Sequence, residues 1–223
     1  MITSFIGAPG CGKSTALAWV ARRATRKRCA PISICGHLVS SGHTQLFTNF
    51  PFEGAYQLDY DNLGKYRYED ALILLDEISM YSDSRDYKNF SKALIFFFTQ
   101  HRKFNLDLIW TSQTYDDSDK KIRNLTVGYY MIEPTILPGV SRFQEIEPFT
   151  DVIQYKIVSG YRWGKTQHFL TKPLYKLFDS YQTLNVKKED LPPPPLIPWF
   201  PEDSAAEPEH IPLLDRVKRY FAR

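Results

Sequence analysis

Near the start of the chain, Gly7-Ala8-Pro9-Gly10-Cys11-Gly12-Lys13-Ser14, with Thr15 behind it, gathers three glycines, an ammonium group and two hydroxyls. Residues of these types at this spacing hold phosphates. The glycines let the backbone turn tightly and aim its N–H groups at phosphate oxygens. Lys13 supplies a mobile charge for β- and γ-phosphates, and Ser14 offers a hydroxyl to Mg²⁺. The spacing is the G-x-x-x-x-G-K-[ST] of a P-loop, a motif that needs a strand before it and a helix after it. Both are expected: Ile2-Thr3-Ser4-Phe5-Ile6 reads as a buried strand and residues 15–28 as a helix. The N-terminus of that helix puts its positive dipole end beneath the same phosphates.

A second group of chemically useful residues follows an apolar run. Ala71-Leu72-Ile73-Leu74-Leu75 reads as a strand buried on both faces, and it ends in Asp76-Glu77. This is a Walker B pattern, in which Asp76 holds Mg²⁺ through water while Glu77 orients and activates the attacking water. A third strand, Leu106-Asp107-Leu108-Ile109-Trp110-Thr111, ends in Ser112-Gln113. Gln113 stands where P-loop ATPases with a strand inserted between the two Walker strands sense the γ-phosphate. Its other reading is a plain polar residue at a strand end. No Asn-Lys-x-Asp base-reading motif of a GTPase and no arginine-rich lid of a small-molecule kinase is present in the sequence. The Asp76-Glu77 pair suits activation of water better than either.

These groups need a scaffold, and the composition permits one. A chain of 223 residues, 43% hydrophobic and 24% charged, can build one sizeable α/β domain, with or without an appendage. The net charge of +3 is compatible with a nucleic-acid partner without arguing for one. Cys11, Cys29 and Cys35 form no metal-ligand spacing and read as reduced thiols. No apolar run approaches the ~18 residues of a membrane span, and the first core strand starts at once, without a signal peptide. A cytosolic ATPase without a membrane anchor of its own is the expectation.

The fold class expected is α/β: a P-loop NTPase with a mainly parallel central sheet (additional-strand, RecA/FtsK-like), a β-hairpin extension and a proline-rich C-terminal arm. The basic end of the first helix, Arg22-Arg23-Ala24-Thr25-Arg26-Lys27-Arg28, reads either as a solvated helix C-terminus or as a patch facing DNA. Pro31-Ile32-Ser33-Ile34-Cys35-Gly36 reads as a short strand. Residues 37–68 read as loops with one short helix near 61–65, residues 79–86 as a polar loop, and 87–103 as a helix. A short basic helix at 119–125, a strand at 127–132 and a hairpin or meander over 143–170 follow. Residues 174–182 read as the segment that closes the domain. The ATPase domain is therefore set at 1–184. From 185 to 223 the chain turns proline-rich and acidic, an extended arm that ends in a short basic amphipathic helix.

Two stretches carry a family resemblance. Gln100-His101-Arg102-Lys103-Phe104-Asn105-Leu106-Asp107-Leu108-Ile109-Trp110-Thr111-Ser112-Gln113, with Asp119-Lys120-Lys121-Ile122-Arg123-Asn124-Leu125 behind it, resembles the zonular occludens toxin family, which includes the assembly ATPases of filamentous phages. Tyr175-Lys176-Leu177-Phe178-Asp179-Ser180-Tyr181-Gln182-Thr183 is similar to the segment that closes the same domain. This family sits with DNA-pumping ATPases of the HerA/FtsK type, and viral genome-packaging ATPases are similar in size and motif order. The resemblance implies a homo-oligomeric ring, a hexamer, that hydrolyses ATP with Mg²⁺ and moves DNA. It also implies an arginine that reaches the neighbouring subunit's nucleotide. Arg102, Arg123 and Arg142 are the candidates, with Arg123 favoured because its helix follows Gln113 by one loop and is expected to stay on the phosphate side, facing outward. Filamentous-phage members carry a membrane span after the ATPase domain, whereas this chain has the proline-rich arm. That difference favours genome packaging over extrusion and makes the arm the expected contact with a capsid or membrane protein.

Overall fold

The computed structural model describes residues 1–27, 29–58, 63, 66–78, 92–118, 120–153, 156–175, 177 and 197–198. The apolar runs become the centre of a sheet. Its strands are β1 (Ile2–Ile6), β4 (Gln45–Thr48), β5 (Tyr56–Gln57), β7 (Ala71–Leu75), β8 (Leu106–Ser112), β9 (Gly128–Pro134), β10 (Val140–Ile153) and β11 (Lys156–Leu170). They lie in the order β11-β10-β9-β1-β8-β7-β4-β5. From β9 to β5 all neighbours are parallel, while β10 and β11 form an antiparallel hairpin added to one edge. The P-loop strand β1 and the Walker B strand β7 are thus separated by β8, as the additional-strand arrangement requires.

Helices cover both faces. On one face lie α1 (Lys13–Arg26) and the small hairpin of β2 (Ile32–Ile34) with β3 (His37–Ser40). Ala16, Leu17, Val20 and Ala21 of α1 pack there with Phe5, Leu74, Ile109 and Phe143. On the other face, α2 (Lys92–Gln100) and α3 (Lys120–Leu125) bring Phe97, Phe98 and Ile122 onto Ile73, Leu75, Leu108 and Trp110. Each Val, Leu, Ile or Phe side chain among them contributes about 2 kcal/mol over an exposed one. Trp110 is fully buried, and its indole N–H finds Thr126 Oγ1 at 3.2 Å.

Several expectations are corrected here. Helix α1 starts at Lys13 rather than at 15, because Gly12 takes the N-cap position in the left-handed region at φ 99°. The segment 37–68 is not all loop: it holds β3, β4, β5 and β6 (Tyr66–Arg67), and β4 joins the parallel sheet beside β7. The helix expected at 87–103 is α2 followed by one 3₁₀ turn, His101–Phe104, with 87–91 outside the described residues. The helix near 61–65 and the loop 79–86 also lie outside them, apart from Leu63, which bridges to Tyr66. Leu174 and Leu177 do pack against the α1 core. Of the arm, only β12 (Ile197–Pro198) is described, paired antiparallel with β6. The 184/185 boundary is outside the described residues.

Opposite the P-loop, where the strands of the sheet begin, a buried polar cluster ties the sheet together. Asp107 on β8 is 3% exposed and accepts hydrogen bonds from the Met1 amine, from Ser41 N at 2.6 Å and from Ser41 Oγ at 2.9 Å. The His43 imidazole lies 2.7 Å away. Burial alone raises the Asp107 carboxyl, but the contacts with His43, the Met1 amine and Ser41 outweigh it and hold the group well below the usual carboxylate range. A carboxyl depressed in the folded state stabilises at pH above its unfolded value near 3.9, and that contribution is lost as the pH falls further. This cluster therefore contributes to the loss of stability in acid. Asp107→Asn should lower stability at pH 7 by about 3 kcal/mol and flatten the loss below about pH 5. Denaturant unfolding at pH 7 and about pH 2.5 checks this; an unchanged pH 7 midpoint contradicts it.

Candidate nucleotide-binding site

The P-loop is shaped by what its residues lack. A side chain on Gly7 would start 2.8 Å from the Ile132 carbonyl oxygen, so the loop can press against β9 only with glycine there. Gly10 and Gly12 both take positive φ, 75° and 99°. Gly12 O accepts from Ala16 N at 2.9 Å, so α1 is in register immediately behind the loop. The N–H groups of Lys13, Ser14 and Thr15 then have no partner inside the helix and face the loop end. Ala8, Pro9 and Gly10 are exposed, while Lys13 is 7% exposed with Nζ donating to Gly7 O at 2.8 Å and Ala8 O at 3.1 Å. The ammonium is thus stored in the loop, one donor to spare. Burial pushes the Cys11 thiol up, against the pull of Lys13, which keeps it a neutral thiol.

The Walker strands meet at their C-terminal tips. Ser14 Oγ donates to Asp76 Oδ2 at 2.5 Å, and Thr111 Oγ1 on β8 donates to Asp76 Oδ1 at 2.6 Å. Both carboxylate oxygens are aimed by hydroxyls. The next residue, Glu77, is exposed, takes φ 50° and donates its N–H to Thr111 Oγ1 at 2.8 Å. Asn49, just past β4, clamps the same spot from the other side: its amide donates to Asp76 O at 2.8 Å and its carbonyl accepts from Asp76 N at 2.7 Å. A hydroxyl and a carboxylate in contact are hard oxygen donors, so Ser14 and Asp76 fit a magnesium ion.

Thr111 and Asn49 were missed in the sequence. The residue expected to sense phosphate, Gln113, is exposed one position past the end of β8. Thr111, two residues earlier and inside the strand, touches Asp76 because Leu75 pairs with Trp110 in the sheet register. The alternation along β8 was the available signal. Thr111→Val removes the hydroxyl while keeping the shape. It should leave ATP binding and the fold in place and lower turnover by about 10²-fold, through misplacement of Asp76 and Glu77. Thr111→Ser should restore most of that rate. Steady-state phosphate release on both variants checks it; a Val variant with parental turnover contradicts it.

The arginines fall differently from the sequence expectation. Arg123 does not face outward. Its Nη1 donates to Asp116 Oδ1 at 2.5 Å and Tyr115 O at 3.1 Å, its guanidinium lies 4.8 Å from the Tyr115 ring centre, and its side chain is 16% exposed. Its helix α3 is six residues long and leads into β9, which starts at Gly128 opposite Thr3. Arg142 is on strand β10. It follows Ser141, whose Oγ is 3.7 Å from where a side chain on Gly12 would begin, and it forks onto Glu133 Oε2 at 2.8 and 2.6 Å. Arg102 is exposed in the turn ahead of β8, at the strand's far end from the P-loop.

Comparison with known proteins gives one family match and several structural likenesses. The family model of the zonular occludens toxin (Zot) matches residues 46–159. The N-terminal domain of zonular occludens toxin from Neisseria meningitidis is similar in structure at 17% identity, covering 80% of this chain and 98% of that one, with a TM-score of 0.46. The genome packaging NTPase B204 from Sulfolobus turreted icosahedral virus 2, in complex with ATP-gammaS, matches at 12% identity over 61% of this chain and 76% of its own, TM-score 0.39. EccC (ATPases 2 and 3) of Thermomonospora curvata matches at 13% identity over 64% and 34%, TM-score 0.38. No curated protein matches the chain in sequence. The matched residues 46–159, just over half of the 223, run from β4 through the Walker B tip, Thr111 and the start of the hairpin, and the chain belongs to the zonular occludens toxin family.

Proposed function

We propose that the chain is an ATPase of virus assembly that couples hydrolysis to movement of viral DNA. The observation that carries this reading is the contact of Ser14 with Asp76 while Thr111 holds Asp76 and Glu77 together, at the tips of adjacent parallel strands where ligands of α/β sheets gather. The P-loop backbone and Lys13 bind the triphosphate. Ser14 and Asp76 would hold Mg²⁺, which neutralises phosphate charge when bound. Glu77 accepts the proton of the attacking water. Catalysis on this plan is positioning and charge stabilisation, with no covalent intermediate on the protein. The active form is a homo-oligomeric ring, a hexamer, with residues 1–184 as its ATPase domain and 185–223 as the arm that docks on a capsid or membrane protein.

Membership of the zonular occludens toxin family favours a second reading, an assembly or extrusion ATPase that works with a membrane complex. Among the described residues no helix is long and apolar enough to cross a membrane. ATP turnover measured with no nucleic acid, with single-stranded DNA and with duplex DNA separates the two, alongside the mass of the particle with nucleotide bound. Stimulation by DNA in a hexamer-sized particle is expected. Turnover indifferent to both DNAs and dependent on a membrane protein would replace this reading with the second.

A further inference from the structure

The helix that begins beneath the P-loop ends beside a cationic groove. Arg22, Arg23 and Arg26 on the last turns of α1, and Lys27 just past it, line a groove of about 640 Å³ between α1 and the edge strand β11. Trp19, Phe169 and Leu174 form its apolar wall, and no Asp or Glu lines it. Among the described residues, none of the four cations has a carboxylate partner, whereas Arg67, Arg123 and Arg142 each have one. A helix C-terminus favours cations in its last turn, but that does not explain four of them flanking an apolar trough. The Arg23 guanidinium sits 4.0 Å from the Trp19 ring centre. Aromatic rings and guanidinium planes both accept a stacked nucleobase.

We propose that this groove binds single-stranded nucleic acid, with the four cations on backbone phosphates and a base stacked on the Trp19–Arg23 pair. The inference rests on the reading of the chain as a DNA-moving ATPase. Cations tracking a backbone beside an aromatic platform are the general chemistry of single-strand binding. A duplex offers phosphates but keeps its base faces stacked inside, so the apolar wall would go unused. An acidic peptide satisfies the charges but has no need of the stack. The site is also placed to report on nucleotide. The 14 residues of α1, about 20 Å of rigid helix, carry Lys13 and Ser14 in the first turn and the groove's arginines in the last two.

The test uses the full chain and a fluorescein-labelled oligo-dT, with binding followed by anisotropy across a salt series. Arg26→Ala/Lys27→Ala changes two exposed side chains. It should reduce the slope of log affinity against log salt by about 1.4, or ~0.7 for each lost phosphate contact, with ATP turnover in the absence of DNA unchanged. Trp19→Leu should weaken oligo-dT about tenfold without changing the slope. Arg102→Ala should change neither. Unaltered affinity and slope in the double variant would remove the groove from DNA binding and leave the DNA-moving reading standing. Failure of the parent chain to bind any DNA, with ATP turnover intact, would remove both. Equal displacement of oligo-dT by a poly-glutamate peptide, with the same dependence on Trp19, would make the groove a protein-docking site and overturn the assignment.

Discussion

Glu77→Gln leaves ATP binding in place and lowers hydrolysis by ~10²–10⁴-fold, the usual loss when a positioned general base is removed. The amide keeps the shape of the side chain and cannot take a proton. The backbone that aims it is independent of the side chain, because Glu77 N–H is held by Thr111 Oγ1 at 2.8 Å. The residue also sits at φ 50°, a conformation that costs a non-glycine residue roughly 1 kcal/mol. Strain of this kind persists where a site over-determines it. Glu77→Gly should accordingly fold at least as stably as the parent and hydrolyse no faster than the Gln variant. Lys13→Ala behaves differently: it removes the ammonium stored against Gly7 O and Ala8 O and should weaken nucleotide affinity itself. Binding of a fluorescent ATP analogue and the rate of phosphate release separate the cases. A Gln variant that hydrolyses at near the parental rate would take Glu77 out of the water-activating role.

What was legible in the sequence was what burial writes into it. Strands β1, β7 and β8 are buried along their whole lengths, and such runs stand out against polar neighbours. The P-loop announces itself because its glycines answer a steric demand, the Ile132 carbonyl against Gly7 and positive φ at Gly10 and Gly12. Strand β4 was hidden. Gln45-Leu46-Phe47-Thr48 is four residues long with polar residues at both ends, and its place in the sheet comes from pairing with β7, a contact 26 residues away in sequence. With β4 went Asn49, and with the register of β7 on β8 went Thr111. Pairing registers are properties of the assembled sheet and leave little local trace. The inward set of Arg123 was hidden for a related reason: its partners Tyr115 and Asp116 lie eight and seven residues back, and only the folded loop after β8 brings them to its guanidinium.

That geometry reorders the arginines. Arg142→Ala should lower turnover by about 10³-fold or more, the scale of an arginine that stabilises charge on the transferring phosphoryl group. Arg123→Ala should cost about 1 kcal/mol of stability and leave turnover within a few-fold. Arg123 is committed inside its own chain to Asp116 and Tyr115, so its loss removes a hydrogen bond and a ring contact. Arg142 is 42% exposed and stands on β10 opposite Glu133 at the end of β9, one residue after Ser141, which approaches Gly12. Glu133 holds it and also acts electrostatically on Cys11 within the loop. On this proposal Arg142 serves the pocket of its own subunit, whereas the family resemblance implies an arginine lent to a neighbour. Mixing Arg142→Ala subunits with Glu77→Gln subunits distinguishes the two. An arginine serving its own pocket leaves every pocket of the mixed assembly with one defect, so no activity returns. An arginine serving the neighbour creates some pockets in which an intact Glu77 meets an intact Arg142, and hydrolysis reappears. No recovery despite proven co-assembly is the expected result. Recovery would assign Arg142 to the adjacent subunit's nucleotide, and parental turnover in the Arg142→Ala protein alone would exclude it from the site.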